Sequence, residues 1–118
     1  MNIAAIEFRP QHLELLIYNK DGQPICSEKR PFIFSQHKLL LLHPAEVNQI
    51  LDHAKELLEI ARLHNVPAWK IQAICGPKSR KIVNISHVLQ RFEMELNLSF
   101  SVLSDAEEAA LVWFSHAN

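Results

Sequence analysis

Apolar residues fall into short runs separated by polar turns, and the spacing inside each run predicts its element. Ile3 to Phe8 (Ile-Ala-Ala-Ile-Glu-Phe) is nearly all apolar. That pattern fits a strand buried on both faces, interrupted by one acid, Glu7. Arg9-Pro10-Gln11-His12 is a turn, and Leu13 to Tyr18 returns as a second, antiparallel strand. The Asp-Gly chemistry of Asn19-Lys20-Asp21-Gly22 leads into a third strand, Pro24 to Ser35, with Phe32 and Phe34 on one face. The first part of the chain therefore reads as a three-stranded meander.

The period then changes. After a short apolar connection from Lys38 to His43, Pro44 suits the first turn of a helix, where its missing N–H is not needed. Val47, Ile50, Leu51, Ala54, Leu58 and Ala61 form the stripe of an amphipathic helix lying on a sheet. Asn65 and Pro67 mark its end, because Asn tolerates the left-handed conformation and Pro blocks continuation. Trp69 to Cys75 is a fourth strand, closed by Gly76-Pro77. Lys78 to Val83 forms a basic loop or short helix, and Ile85, Val88, Leu89, Phe92 and Leu96 mark a second helix ending at Asn97. Ser99 to Leu103 is a fifth strand. A last helix starts at Ser104, where Ser104 and Glu107 have the spacing of a capping box.

The order β-β-β-α-β-α-β-α places strands four and five parallel to strand one, joined by crossovers. With an antiparallel meander in front, this is an α/β fold of ribonuclease H-like or actin-like topology, a mixed five-stranded sheet of order 3-2-1-4-5. Residues 1–118 form one such domain, and their number supports a substantial core.

Composition narrows the function. Apolar residues make up 48% and charged residues 21%, as in ordinary globular chains. The formal charge is -1, with 12 basic and 13 acidic residues interspersed, so no broad footprint for nucleic acid or an anionic membrane is expected. The longest apolar run, Leu39 to Leu42, is far short of a membrane span. No signal peptide is recognised, and Cys26 and Cys75 make no disulfide framework, so a cytoplasmic location is expected. With only Gly22 and Gly76, the chain has glycine for at most one phosphate-wrapping backbone loop.

Ligands of such sheets lie beyond the carboxyl ends of the parallel strands. Three segments should meet there: Glu7 with the Arg9–His12 turn, the Gly76–Asn84 loop, and Ser104–Glu108. Lys78, Arg80 and Lys81 would supply cations, and Glu107 or Glu108 a carboxylate able to orient a nucleophile over a phosphate.

These segments resemble the first domain of the exopolyphosphatase and guanosine pentaphosphate phosphohydrolase (Ppx/GppA) family. Its pattern runs Ala-Ile-Asp-Ile-Gly-Ser-Asn-Ser, then Ala-Thr-Ser-Ala-x-Arg-x-Ala-x-Asn, then Ser-Gly-x-Glu-Glu-Ala-Arg-Leu. Ala5 to His12 is similar in place to the first motif, Ala73, Arg80 and Asn84 match the middle one, and Ser104 to Leu111 matches the last. The resemblance implies two actin-like domains, a phosphate chain or polyphosphate in the cleft between them, and magnesium-assisted hydrolysis. It makes Glu108 the catalytic carboxylate and Arg80 a phosphate contact, with Asn84 and Glu7 as further substrate-binding positions.

The departures are specific. Glu7 stands for the family's Asp, and Arg9-Pro10-Gln11-His12 replaces Gly-Ser-Asn-Ser, removing the glycine, both hydroxyls and, at Pro10, an amide donor. Gly76-Pro77 replaces Thr-Ser, and Ala110 the arginine of the last motif. The Gly-rich loop of a second domain is not found in these residues. The expectation is a divergent domain lacking its second wall and inactive as a separate chain.

Alternative readings attach to the same residues. Glu107 suits the cap, and Glu108 is a helix-start acid unless the resemblance holds. The histidines show no paired metal-ligand spacing, and Cys75 suits a small buried strand-end residue. Ala109 to Phe114 contains no polar residue, so the last helix needs a cover. That cover would be the missing second domain or, through Trp113 and Phe114, a second copy. A non-catalytic interaction or dimerisation module on the same fold is the rival function, and a metal-dependent nuclease fails for want of an acid at the end of strand four.

Overall fold

The computed structural model describes residues 1–32 and 41–102, together with Ser104 and Ala106. Within them the meander forms β1 (Ile3–Phe8), β2 (His12–Tyr18) and β3 (Pro24–Pro31). Helix α1 (Pro44–Leu63) follows, then β4 (Ile71–Cys75), helix α2 (Ile85–Leu96) and β5 (Phe100–Val102). Short 3₁₀ turns, Ala68–Lys70 and Pro77–Lys81, precede and follow β4. The sheet order is β3-β2-β1-β4-β5. β1 is antiparallel to β2 and parallel to β4, and β5 is parallel to β4. This is the topology the element order predicts.

Alternation on the strands decides what is inside. Ala4, Ile6 and Phe8 of β1, Leu13, Leu15 and Ile17 of β2, and Ala73 and Cys75 of β4 point into one core. The stripes of α1 (Val47, Ile50, Leu51, Ala54, Leu57, Ala61) and α2 (Val88, Phe92) enter the same cluster, so both helices cover the same sheet face. On α1, Leu57 is fully buried where the stripe had assigned Leu58, which packs at the flank. The opposite face carries Ala5, Glu7, Glu14 and Leu16, all partly buried, so β1 is fully buried on one face only.

Local chemistry sets the ends. Asn19 Oδ1 accepts from the amides of Asp21 and Gln23 at 2.9 and 3.0 Å, and Gly22 at φ 79° closes the β2–β3 turn. Asn65 and Asn97 adopt φ 60° and 54°, the left-handed closures expected of the two helices. At the start of α1, the Glu46 carboxylate accepts from the His43 amide at 2.9 Å. Arg30 reaches from β3 to Glu56 on α1 at 3.1 Å and to Glu28 at 3.2 Å. Those hydrogen bonds, that to Glu56 first, hold its guanidinium above its usual basicity.

Three boundaries differ from the sequence reading. β3 ends at Pro31, although the Phe32 amide still donates to the Gln11 carbonyl at 3.0 Å, in step with the β2–β3 register; Phe34 lies outside the described residues. Trp69 is not in β4: the Lys70 amide donates to the Pro67 carbonyl, winding Ala68–Lys70 into a turn, and Trp69 is 72% exposed. The ladder with β1 begins only at Ile71. β5, Phe100–Val102, begins one residue later than expected, and Leu103 lies outside the described residues.

Candidate anion-binding site

At the carboxyl ends of β1 and β4 the chain makes an open pocket of about 350 Å³ lined by Arg9, Pro10, Gln11, His12, Lys78 and Lys81. Its first wall is the β1–β2 turn, closed by the Arg9 amide donating to the His12 carbonyl at 3.0 Å. Its second wall is the 3₁₀ turn Pro77–Lys81, anchored by the Ser79 amide to the Gly76 carbonyl at 3.1 Å. The Gly76 amide in turn donates to the Phe8 carbonyl at 3.4 Å, which ties the two walls together. The expected meeting of these two segments is therefore present.

The pocket is cationic, and its charges are held in different ways. Arg9 lies with Nε and Nη2 each 3.0 Å from Glu7 Oε2, so part of its charge is matched. Glu7 stands opposite Glu14 in the β1–β2 register, an unfavourable placing of like charges. It is relieved by Arg9 on one side and by Lys29, 3.7 Å from Glu14, on the other. His12 Nε2 is 3.4 Å from Glu14 Oε2 and makes no hydrogen bond. Lys78 and Lys81 are exposed and have no ion-pair partner among the described residues. Two unmatched ammonium groups beside an arginine and a histidine suit a multiply charged oxyanion.

The residues singled out in the sequence fall as follows. Glu7 does not line the pocket but is engaged by Arg9, which does. Asn84 is taken up by the backbone of Leu42, its Nδ2 donating to the Leu42 carbonyl at 2.9 Å and its Oδ1 accepting the Leu42 amide at 3.0 Å. Arg80 belongs to the 3₁₀ turn, but its side chain lies outside the described part, as do Glu107, Glu108, Trp113 and Phe114. The sequence reading treated Arg9 and His12 only as the loss of a glycine-hydroxyl loop; their side chains line the pocket in its place. The signal for this was the basic character of the substituted turn itself.

No family model matches the sequence, and no curated protein matches it. Solved structures do. A Ppx/GppA family member from Aquifex aeolicus superposes with a TM-score of 0.76 at 20% identity, over 89% of this chain and 35% of its own. An exopolyphosphatase from Cytophaga hutchinsonii gives 0.77 at 22% identity, over 94% of this chain and 36% of its own. The ethanolamine utilization protein EutJ from Carboxydothermus hydrogenoformans is more distant, 0.56 at 12% identity over 87% and 36%. This chain thus spans about a third of the length of each. At these identities the likeness is one of fold: the chain has the actin-like architecture of the Ppx/GppA exopolyphosphatases, with the coverage of a single domain, consistent with their N-terminal one.

Proposed function

We propose that the chain is the N-terminal actin-like domain of a Ppx/GppA-type phosphohydrolase of polyphosphate or guanosine pentaphosphate, and that its pocket grips phosphate through side-chain cations. The observation that carries this reading is the pocket's position, beyond the carboxyl ends of β1 and β4 and lined by Arg9, His12, Lys78 and Lys81. In sheets of this class that is where phosphates lie.

The mode of binding follows from what the turn lacks. Phosphate loops that use backbone amides need glycine and free N–H groups. Arg9-Pro10-Gln11-His12 has neither the glycine nor, at Pro10, the N–H. Charge from side chains replaces fixed amide dipoles, which holds an anion but leaves it less tightly oriented for in-line attack.

Turnover also needs a water-orienting carboxylate, assigned by resemblance to Glu108, and a second wall to the cleft from a further domain. Magnesium is implied by resemblance alone. The described part of the pocket presents cations, and the β1 carboxylate, Glu7, is held by Arg9, which does not fit a divalent ion. No step is assigned to one. In this reading residues 1–118 supply the phosphate-binding wall, and turnover is assigned to them only together with the second wall. Incubating the purified chain with long-chain polyphosphate and assaying free phosphate tests this directly: no release above buffer is expected, and release that Glu108→Gln abolishes would contradict it.

A further inference from the structure

The turn that carries Lys78 and Lys81 is built with a period of three. In a 3₁₀ turn residues i and i+3 eclipse, so Lys78 and Lys81 share one side and Ser79 and Ile82 the next. Burial follows that register. Lys78 and Lys81 are exposed and line the pocket, whereas Ser79 is 0% and Ile82 1% exposed. Among the described residues Ser79 is the buried polar side chain in an otherwise hydrocarbon core.

A buried hydroxyl is costly unless bonded, and this one is bonded twice. Ser79 Oγ donates to the Gly76 carbonyl and lies within hydrogen-bond distance of Cys75 Sγ. A hydroxyl has one proton, and a carbonyl only accepts. The Cys75 thiol is therefore the donor to Ser79. The chain Cys75 S–H to Ser79 O–H to Gly76 C=O starts on a fully buried residue paired with both Phe8 and Val102. It ends on the peptide where the cationic turn begins. The Ser79 hydroxyl thus adds a side-chain tie between the end of β4 and the turn to the backbone bonds at Gly76.

We propose that Ser79 is the positioning residue of the pocket: it touches no anion, and fixes the turn so that Lys78 and Lys81 converge on one. The proposal rests on the pocket's reading as an anion site. Its test is a titration of the purified chain with inorganic tripolyphosphate at low salt, comparing wild type, Ser79→Ala, Lys78→Gln/Lys81→Gln and the triple variant, with folding checked by circular dichroism.

Ser79→Ala keeps every charge, yet it is expected to weaken binding about tenfold, as loss of a charge-directing hydrogen bond does. In the Lys78→Gln/Lys81→Gln background it should cost nothing further, because a residue acting through two lysines has nothing left to act on. Should Ser79→Ala fail to fold, Cys75→Ala removes only the thiol donor and should weaken binding by about threefold, with the same dependence on the lysines.

Wild-type affinity from Ser79→Ala, with the lysine variant impaired, overturns the role of Ser79 and leaves the anion site standing. An equal loss in both backgrounds also overturns it, marking a general structural effect. Absence of binding by the wild type overturns the pocket's reading and this proposal together.

Discussion

The helix-covered face of the sheet and the rim at its carboxyl end meet between two neighbouring residues and obey different rules. Phe8 is 0% exposed, with its ring 5.7 Å from Phe32, 6.1 Å from Phe92 and 6.3 Å from Phe100. Arg9, the next residue, has its side chain 46% exposed and lines the pocket. On the first side, identity is set by volume and hydrocarbon. On the second it is set by charge, and shape is borrowed from turns anchored in the core. The core can therefore be kept while the rim changes its chemistry, which is how an amide loop can give way to side-chain cations without loss of the fold.

The largest expected effect breaks the core side of that contrast. Phe8→Ala removes the ring at the centre of the aromatic cluster and should destabilise the chain by about 3–5 kcal/mol in chemical denaturation. A loss under about 1 kcal/mol would mean that the Phe8 ring contacts do not carry the packing of this face. Next comes the boundary. Asn84→Ala strands the amide and carbonyl of Leu42, which is 2% exposed, and should cost about 1–3 kcal/mol. Asn84→Asp, which keeps the acceptor and loses the donor, should fall between the two.

On the rim side, Lys78→Gln/Lys81→Gln should leave stability within about 0.5 kcal/mol of wild type. A larger loss would show that the rim contributes to packing.

The smallest effects belong to the helix surfaces away from both regions. Glu59 bonded to Arg62 and Glu95 bonded to Arg91 are held below the usual glutamate range, chiefly by those hydrogen bonds. A depressed folded value means that the pairs stabilise above the unfolded carboxyl range, and that this is lost as pH falls through the folded values. Both groups are solvent-exposed, so the consequence for stability is slight. Carboxyl-carbon NMR titration should find both below an exposed glutamate, and Arg62→Gln or Arg91→Gln should return its partner to the ordinary range.

The same contrast explains what was legible in the sequence. The order of apolar runs and the α1 stripe are properties of the apolar pattern, so the sheet order and most buried positions of α1 could be read from it, whereas β1, read as buried on both faces, is fully buried on one only. A misplacement came where a single hydrogen bond overrides pattern: Lys70 donating to Pro67 took Trp69 out of β4. The α1 cap was missed because His43 is not among the usual capping residues. At the rim, convergence of the β1–β2 turn with the basic loop followed from topology, and resemblance drew attention to Arg80 and Glu108. The pairing of Glu7 with Arg9 and the engagement of Asn84 by Leu42 depend on side-chain geometry that no spacing rule encodes.

The central claim is that the rim between β1 and β4 is an anion site made of side-chain cations. Amide chemical-shift mapping with inorganic tripolyphosphate tests it most directly. The expected result is saturable perturbation confined to residues 9–12 and 77–82, fading as salt is raised and shifted to higher ligand concentration in Lys78→Gln/Lys81→Gln. Perturbations centred elsewhere, such as the β2–β3 turn around Lys20, or unchanged in the lysine variant, would contradict the account.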